Sequence, residues 1–202
     1  MNRRVMAVTA AAVMSMSSFV VPAMADEEEV VSIQITTPLM SMDPLIGGDA
    51  TNVTVISNTM EGLFVVDADG QIQNGLCDSY EVSDDQKTYT FHIRDNAKWS
   101  DGTPVTAQDF AYAWKRNATA EGDYSNFTYQ IEMAAIKNYE AVTSGEADAD
   151  ELGVTAVDDN TLKVELEYPV PFFLNLLTFS PWAPVKESKL TEEGDQFGVD
   201  KD

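Results

Sequence analysis

A single histidine and a single cysteine stand among 34 acidic residues, and this imbalance limits the chemistry open to the chain. A zinc site of the usual kind draws four ligands largely from Cys and His, so His92 and Cys77 are too few to build one. One Cys also excludes an internal disulfide framework. A Ser-His-Asp arrangement would have to use His92, which lies in TYTFHIR (88–94), a run that alternates apolar and polar residues as a strand does. Tyr89, Phe91 and Ile93 share one face there, leaving His92 on the polar face with Thr90 and Arg94. An ordinary sheet-face histidine is the expectation. The nucleophile elbow, the P-loop and the dinucleotide-binding glycine string are missing. DADG (67–70) opens like a calcium loop, but the later ligands do not follow at the required spacing, so a plain Asp-Gly turn is expected. Close carboxylate pairs are inevitable at this acidity and carry no signal. These residues point to recognition rather than catalysis, with no metal and no cofactor.

The formal net charge of −22 would repel a phosphate backbone, and no basic patch offsets it, so nucleic acid is excluded as a partner. An apolar fraction of 44% is that of a folded globular chain despite the charge.

Residues 1–25 read as an address rather than structure. Arg3 and Arg4 precede a mostly apolar, uncharged run from Val5 to Val21, and Ala23-Met24-Ala25 supplies the small-x-small ending that signal peptidase cuts after. A membrane anchor is the competing reading, but Ser15, Ser17, Ser18 and Pro22 weaken it. No Cys stands at the cleavage point for lipid attachment, which favours a periplasmic location, with secretion from a monoderm cell as the alternative. Cleavage removes two positive charges and deepens the acidity.

Mixed elements follow. Val30 to Ile35 alternates as a strand, and SMDPLIGGDATN (41–52) is a loop with proline and paired glycine. A short helix is predicted over Asn52–Glu61, capped by Thr51 or Asn52 and stopped by Gly62. A strand is predicted at Leu63–Val66, then a hairpin across Ser79–Arg94. Thr106 with Asp109 caps a helix whose buried face would carry Phe110, Ala113 and Trp114, with Asn117 a turn later. Trp99 and Trp114 read as core anchors. Helix is predicted to run from Ala134 to Thr143 and stop at Gly145. A second hairpin (Gly153–Val157 with Thr161–Leu166) and a short apolar helix (Pro171–Leu177) complete the set, before the polar, glycine-broken TEEGDQFGVDKD. The class is mixed α/β, nearer α+β in its middle section.

One segment is specific enough to carry a family resemblance. YTFHIRDNAKWSDGTPVTAQDFAYAW (89–114) resembles the signature of the oligopeptide-binding, family 5 solute-binding proteins of peptide ABC transporters, and LGVTAVDDNTLKVELEYPVPFFLNLL (152–177) is similar to a later block. That resemblance implies a two-lobed fold of the type II periplasmic-binding-protein kind, here truncated to its N-terminal portion. It implies a non-enzymatic, monomeric receptor that closes on an oligopeptide held largely through its backbone and delivers it to a membrane permease. The implied ligand contacts are Gly48, Asp49 and Ala50, in the loop after the Asp-Pro pair, and Tyr124, in the loop after the Trp114 helix. Gly48-Asp49 stands where the family often has Glu-Gly. The resemblance also implies that residues 26–64 start lobe one, 65–177 form an inserted subdomain and 178–202 begin the return. A fragment of this kind is expected to bind poorly alone. Alternatives are the same fold carrying a nickel chelate, haem or oligosaccharide, and an inactive remnant or interaction module.

Overall fold

Alternation of aromatic and polar side chains between residues 88 and 93 makes the strand around which the molecule is arranged. The computed structural model describes residues 37–39, 41–46, 50–121, 127–194 and 197–198. In chain order its elements are α1 (Ala50–Thr59), β1 (Phe64–Val66), β2 (Ile72–Asn74), β3 (Cys77–Val82), β4 (Thr88–Ile93), α2 (Ala107–Ala118), α3 (Thr128–Met133), α4 (Tyr139–Thr143), β5 (Val154–Ala156), β6 (Thr161–Glu165), α5 (Phe173–Leu176) and α6 (Glu187–Glu193). No helix among the described residues is long and apolar enough to cross a membrane. The expected leader at 1–25 and strand at 30–35 lie outside the described residues.

Four strands form one antiparallel sheet in the order β3-β4-β6-β5, and β1 and β2 form a separate hairpin. Tyr89 pairs with Val82 on one side and Val164 on the other; Phe91 pairs with Tyr80 and Leu162. Because side chains alternate along a strand, Tyr89, Phe91 and Ile93 are buried together while Thr90 and His92 are only half-buried. Leu162 and Val164 continue that face on β6.

The helix α2 packs across β5 and β6 with Phe110, Ala113, Trp114 and Asn117 buried. Its start is set locally: the Asp109 carboxylate accepts the Thr106 amide at 2.8 Å and the Thr106 hydroxyl at 3.1 Å. Trp114 is fully buried, stands edge-on to Trp182 with ring centroids 4.8 Å apart, and donates from Nε1 to the Trp182 carbonyl at 3.0 Å. Trp182 in turn donates to Gln130 Oε1 at 2.8 Å. Both indoles thereby combine large apolar burial with a satisfied N–H. Trp99 is only partly buried, packed against the edge of this core.

Two local expectations are corrected. First, α1 begins at Ala50 rather than Asn52, and Thr51 and Asn52 lie buried in its first turn with their side chains turned to the preceding segment. Thr37 Oγ1 donates to Thr51 Oγ1 at 2.8 Å, and Asn52 Nδ2 donates to the Ser41 carbonyl at 2.9 Å. Second, the helix expected over Ala134–Thr143 survives only as α4. Ala135 and Asn138 take positive φ values of 51° and 65°, and Ile136 makes an isolated bridge to Leu166. Lys137 donates to the Glu165 carbonyl at 2.9 Å and accepts from Gly153 at 2.8 Å, so sheet-edge pairing displaces helical bonds there. In addition, α6, for which no expectation was made, carries helix into the polar stretch as far as Glu193. The β2 strand was not foreseen, since it has only three residues and needs β1 to define it.

Candidate ligand-binding loop

Asp43, the acid of the Asp-Pro pair, is 1% exposed. A buried carboxylate is costly unless it is paired and hydrogen-bonded, and here both oxygens are engaged. Oδ1 accepts the Leu45 amide at 3.0 Å and Arg116 Nη1 at 2.9 Å, while Oδ2 accepts Arg116 Nη2 at 2.6 Å. The pair is a bidentate fork joining residues 73 positions apart. The Asp43 amide donates to Ser41 Oγ at 3.0 Å, and the Ile46 amide donates to the Asp43 carbonyl at 3.0 Å. Together with the bond from Asn52 to Ser41, these contacts fix the stretch that leads into the candidate loop.

Two other segments converge on Asp43. Arg116 lies in the last turn of α2, the helix that runs towards the second candidate loop. From the far end of the chain, the Gly198 carbonyl accepts the Met42 amide at 2.5 Å. Gly198 has φ 70°, and a Cβ on it would come within 2.6 Å of the Asp43 nitrogen, so this approach requires glycine.

Of the expected contacts, Ala50 is exposed as the first residue of α1. Gly48, Asp49 and Tyr124 lie outside the described residues. The structure describes the residues that flank both candidate segments. Sequence reading missed the Asp43–Arg116 pair because nothing in a local pattern links an Asp-Pro turn to one particular arginine.

Beside Met42 lies a cleft of about 330 Å³ lined by Met60, Glu61, Arg94, Lys98 and Trp99. Arg94 Nη2 meets Glu61 Oε2 there at 2.7 Å.

The remaining chemical candidates behave as structural residues. Asp67 accepts the Asp69 amide at 2.9 Å, the Gln71 amide at 2.8 Å and Gln73 Nε2 at 2.8 Å. The Gln71 amide and the Gln73 side chain hold its carboxyl below the usual carboxylate range. This is the expected Asp-Gly turn, with Gly70 at φ 77°. Among the described residues, no group of three or more His, Cys, Asp and Glu is placed to hold a metal ion. Burial pushes the Cys77 thiol up to about 11, the opposite of an activated nucleophile. His92 pairs with Ser79 and Thr161 across its neighbouring strands.

The fold, a four-stranded antiparallel sheet with α2 packed across it, is that of type II periplasmic binding proteins. Residues 71–199 match the model for the bacterial extracellular solute-binding proteins, family 5, middle region. The chain belongs to that family, whose members are extracellular or periplasmic and bind their solutes without transforming them. It is 42% identical over 168 residues to the oligopeptide-binding protein OppA of Bacillus subtilis, covering 83% of this chain and 30% of OppA. It is 38% identical over 174 residues to the periplasmic murein peptide-binding protein MppA of Escherichia coli, covering 86% of this chain and 32% of MppA. Among solved structures, Haemophilus influenzae OppA in complex with the peptide RPPGFSPFR superposes with a TM-score of 0.74 at 33% identity, over 79% of this chain and 31% of that one. The chain thus spans about a third of the length of the relatives it matches.

Proposed function

We propose that this chain is part of an extracytoplasmic receptor that captures oligopeptides for an ABC importer. The observation that carries this reading is the family match over 71–199, joined to relatives named for peptide binding. In this reading residues 1–25 are a signal peptide, the receptor is a periplasmic monomer and its partners are an oligopeptide and a membrane permease. Gly48, Asp49, Ala50 and Tyr124 contact the peptide, the first three from the segment that follows Asp43 and the last from the segment beyond α2. Residues 26–64 open the first lobe, 65–177 form an inserted subdomain, and 178–202 return towards the first lobe. The approach of Gly198 to Met42 supports that return.

Because the chain spans about 30% of OppA, a clamp needing both lobes is incomplete here, and the isolated chain binds peptides weakly. The test is a chimera in which residues 37–198 replace the matching segment of Bacillus subtilis OppA. Calorimetric titration with a set of short peptides should give binding. A folded chimera that binds none of them, or that binds sugars or haem instead, overturns the reading.

A further inference from the structure

We infer that the cleft beside Met42 is a binding site for a small monocarboxylate with an apolar body, Arg94 and Lys98 receiving the carboxylate and Trp99 with the methionines receiving the apolar part. This site is additional to the peptide-receptor reading and does not depend on it. Charge is the first reason. The chain carries 34 acidic residues against 12 basic ones, yet the charged residues that line this cleft are Arg94, Lys98 and a single acid, Glu61. A pocket of net positive charge on a strongly negative molecule favours an anion at that place alone.

Glu61 does not exhaust its partner. Its Oε2 accepts from Arg94 Nη2 at 2.7 Å, whereas Arg94 Nη1 makes no hydrogen bond among the described residues. Lys98 is exposed and makes no ion pair among the described residues. A guanidinium held at one nitrogen and an ammonium left unpaired keep donors for an incoming carboxylate, and charge-assisted bonds of that kind are the strong ones. A phosphate monoester would bring about two negative charges against a net of one, so the singly charged group is the better match.

The walls are set before any ligand arrives. Residues 97–105 double back on themselves, with the Trp99 amide donating to the Thr103 carbonyl at 2.8 Å and the Val105 amide to the Ala97 carbonyl at 3.0 Å. On the other side, the Arg94 amide donates to the Leu76 carbonyl at 3.0 Å and the Leu76 amide to the Gly62 carbonyl at 2.9 Å, which ties Arg94 to the chain beside Glu61. Such preorganisation lowers the ordering cost of binding. Leu76 and Val105 are buried, while Met42, Met60 and Trp99 are half-buried and present apolar surface to the cleft. Methionine adapts its shape to what it meets. A volume of about 330 Å³ stands at the low end of the range of about 300–1,000 Å³ found for ligand sites, which suits a small molecule.

The experiment titrates the 202-residue chain with hydrocinnamate, read by calorimetry and by the NMR shifts of the Trp99 indole and of the Arg94 and Lys98 amides. Hydrocinnamide, which has the same shape without the charge, and phenyl phosphate are the comparison ligands. Expected is saturable binding that shifts those signals, at least about tenfold tighter for hydrocinnamate than for either comparison ligand. K98Q should weaken it about fivefold and R94M about tenfold or more. Should R94M fail to fold, K98Q still decides, because Lys98 is exposed and holds no ion pair among the described residues. Equal affinity for the amide, tighter binding of the phosphate, no saturable binding or an unchanged affinity in K98Q overturns the inference. Peptide capture by the OppA chimera bears on the receptor reading alone, so the two fail separately.

Discussion

The sheet-and-α2 core and the loop around Asp43 are held by opposite means. In the core, Phe91, Phe110, Trp114, Leu162, Phe173 and Trp182 are all fully buried within one apolar cluster. Its cohesion is distributed over many weak contacts, so no single polar bond defines it. Around Asp43 the buried residues include Ser41, Thr51 and Asn52, and the geometry depends on a few directed bonds. Distributed contacts give stability with little positional information per residue; directed bonds do the reverse. The two meet on α2, which contributes Trp114 to the first and Arg116 to the second.

The contrast can be broken most severely through the core. Trp114→Ala removes a fully buried indole and orphans the Trp182 carbonyl, and should cost about 3–5 kcal/mol. Against a typical stability of about 5–15 kcal/mol, urea unfolding should show a large fall in midpoint; an unchanged midpoint would mean that cohesion is not centred there. A smaller effect of opposite sign is expected at Asn117. It is fully buried on the core face of α2, yet neither its Oδ1 nor its Nδ2 has a hydrogen-bond partner among the described residues. Asn117→Leu should therefore stabilise by roughly 1–2 kcal/mol in the same assay, since unsatisfied buried polar groups are costly. A destabilised Asn117→Leu would mark this part of the core as polar by design.

The smallest expected effect lies at the surface and depends on pH. Lys186, and then the Thr103 hydroxyl and amide, hold the Asp101 carboxyl well below the usual carboxylate range. A depressed folded value means that the stabilisation is complete above the unfolded carboxylate range and is lost as pH falls through the folded value. Asp101→Asn should thus lower the melting temperature slightly at about pH 6, and its difference from the parent should shrink below about pH 4. A difference that persists undiminished in acid would assign the effect to something other than this charge.

Legibility followed the range of the interactions involved. Both main hairpins could be read because period-two alternation and a polar turn are local properties, and the capping of α2 could be read because Thr106 and Asp109 are neighbours. The stretch from Ala134 to Asn138 could not. Its residues are compatible with helix, but Ile136 pairs with Leu166 and Lys137 with Glu165 and Gly153, and those partners are far along the chain. The start of α1 was misplaced for the same reason, since Asn52 serves Ser41 instead of capping. Within the candidate site, sequence reading put Ala50 in the loop, whereas the structure makes it the first residue of α1, and the Asp43–Arg116 pair was not foreseen.

Sequence alone determined the family: the 89–114 segment lies within the stretch that matches it, and one His and one Cys among so many acids limit the metal and disulfide chemistry the chain could build. Those conclusions depend on residue types and short spacings, which the chain states directly. Only the tertiary structure decided which cation reaches which acid. Lys115 and Arg116 are adjacent and equally charged, yet one meets an exposed Asp150 and the other a buried Asp43. That choice depends on which side of α2 faces the loop, which follows from how its apolar stripe seats on the sheet.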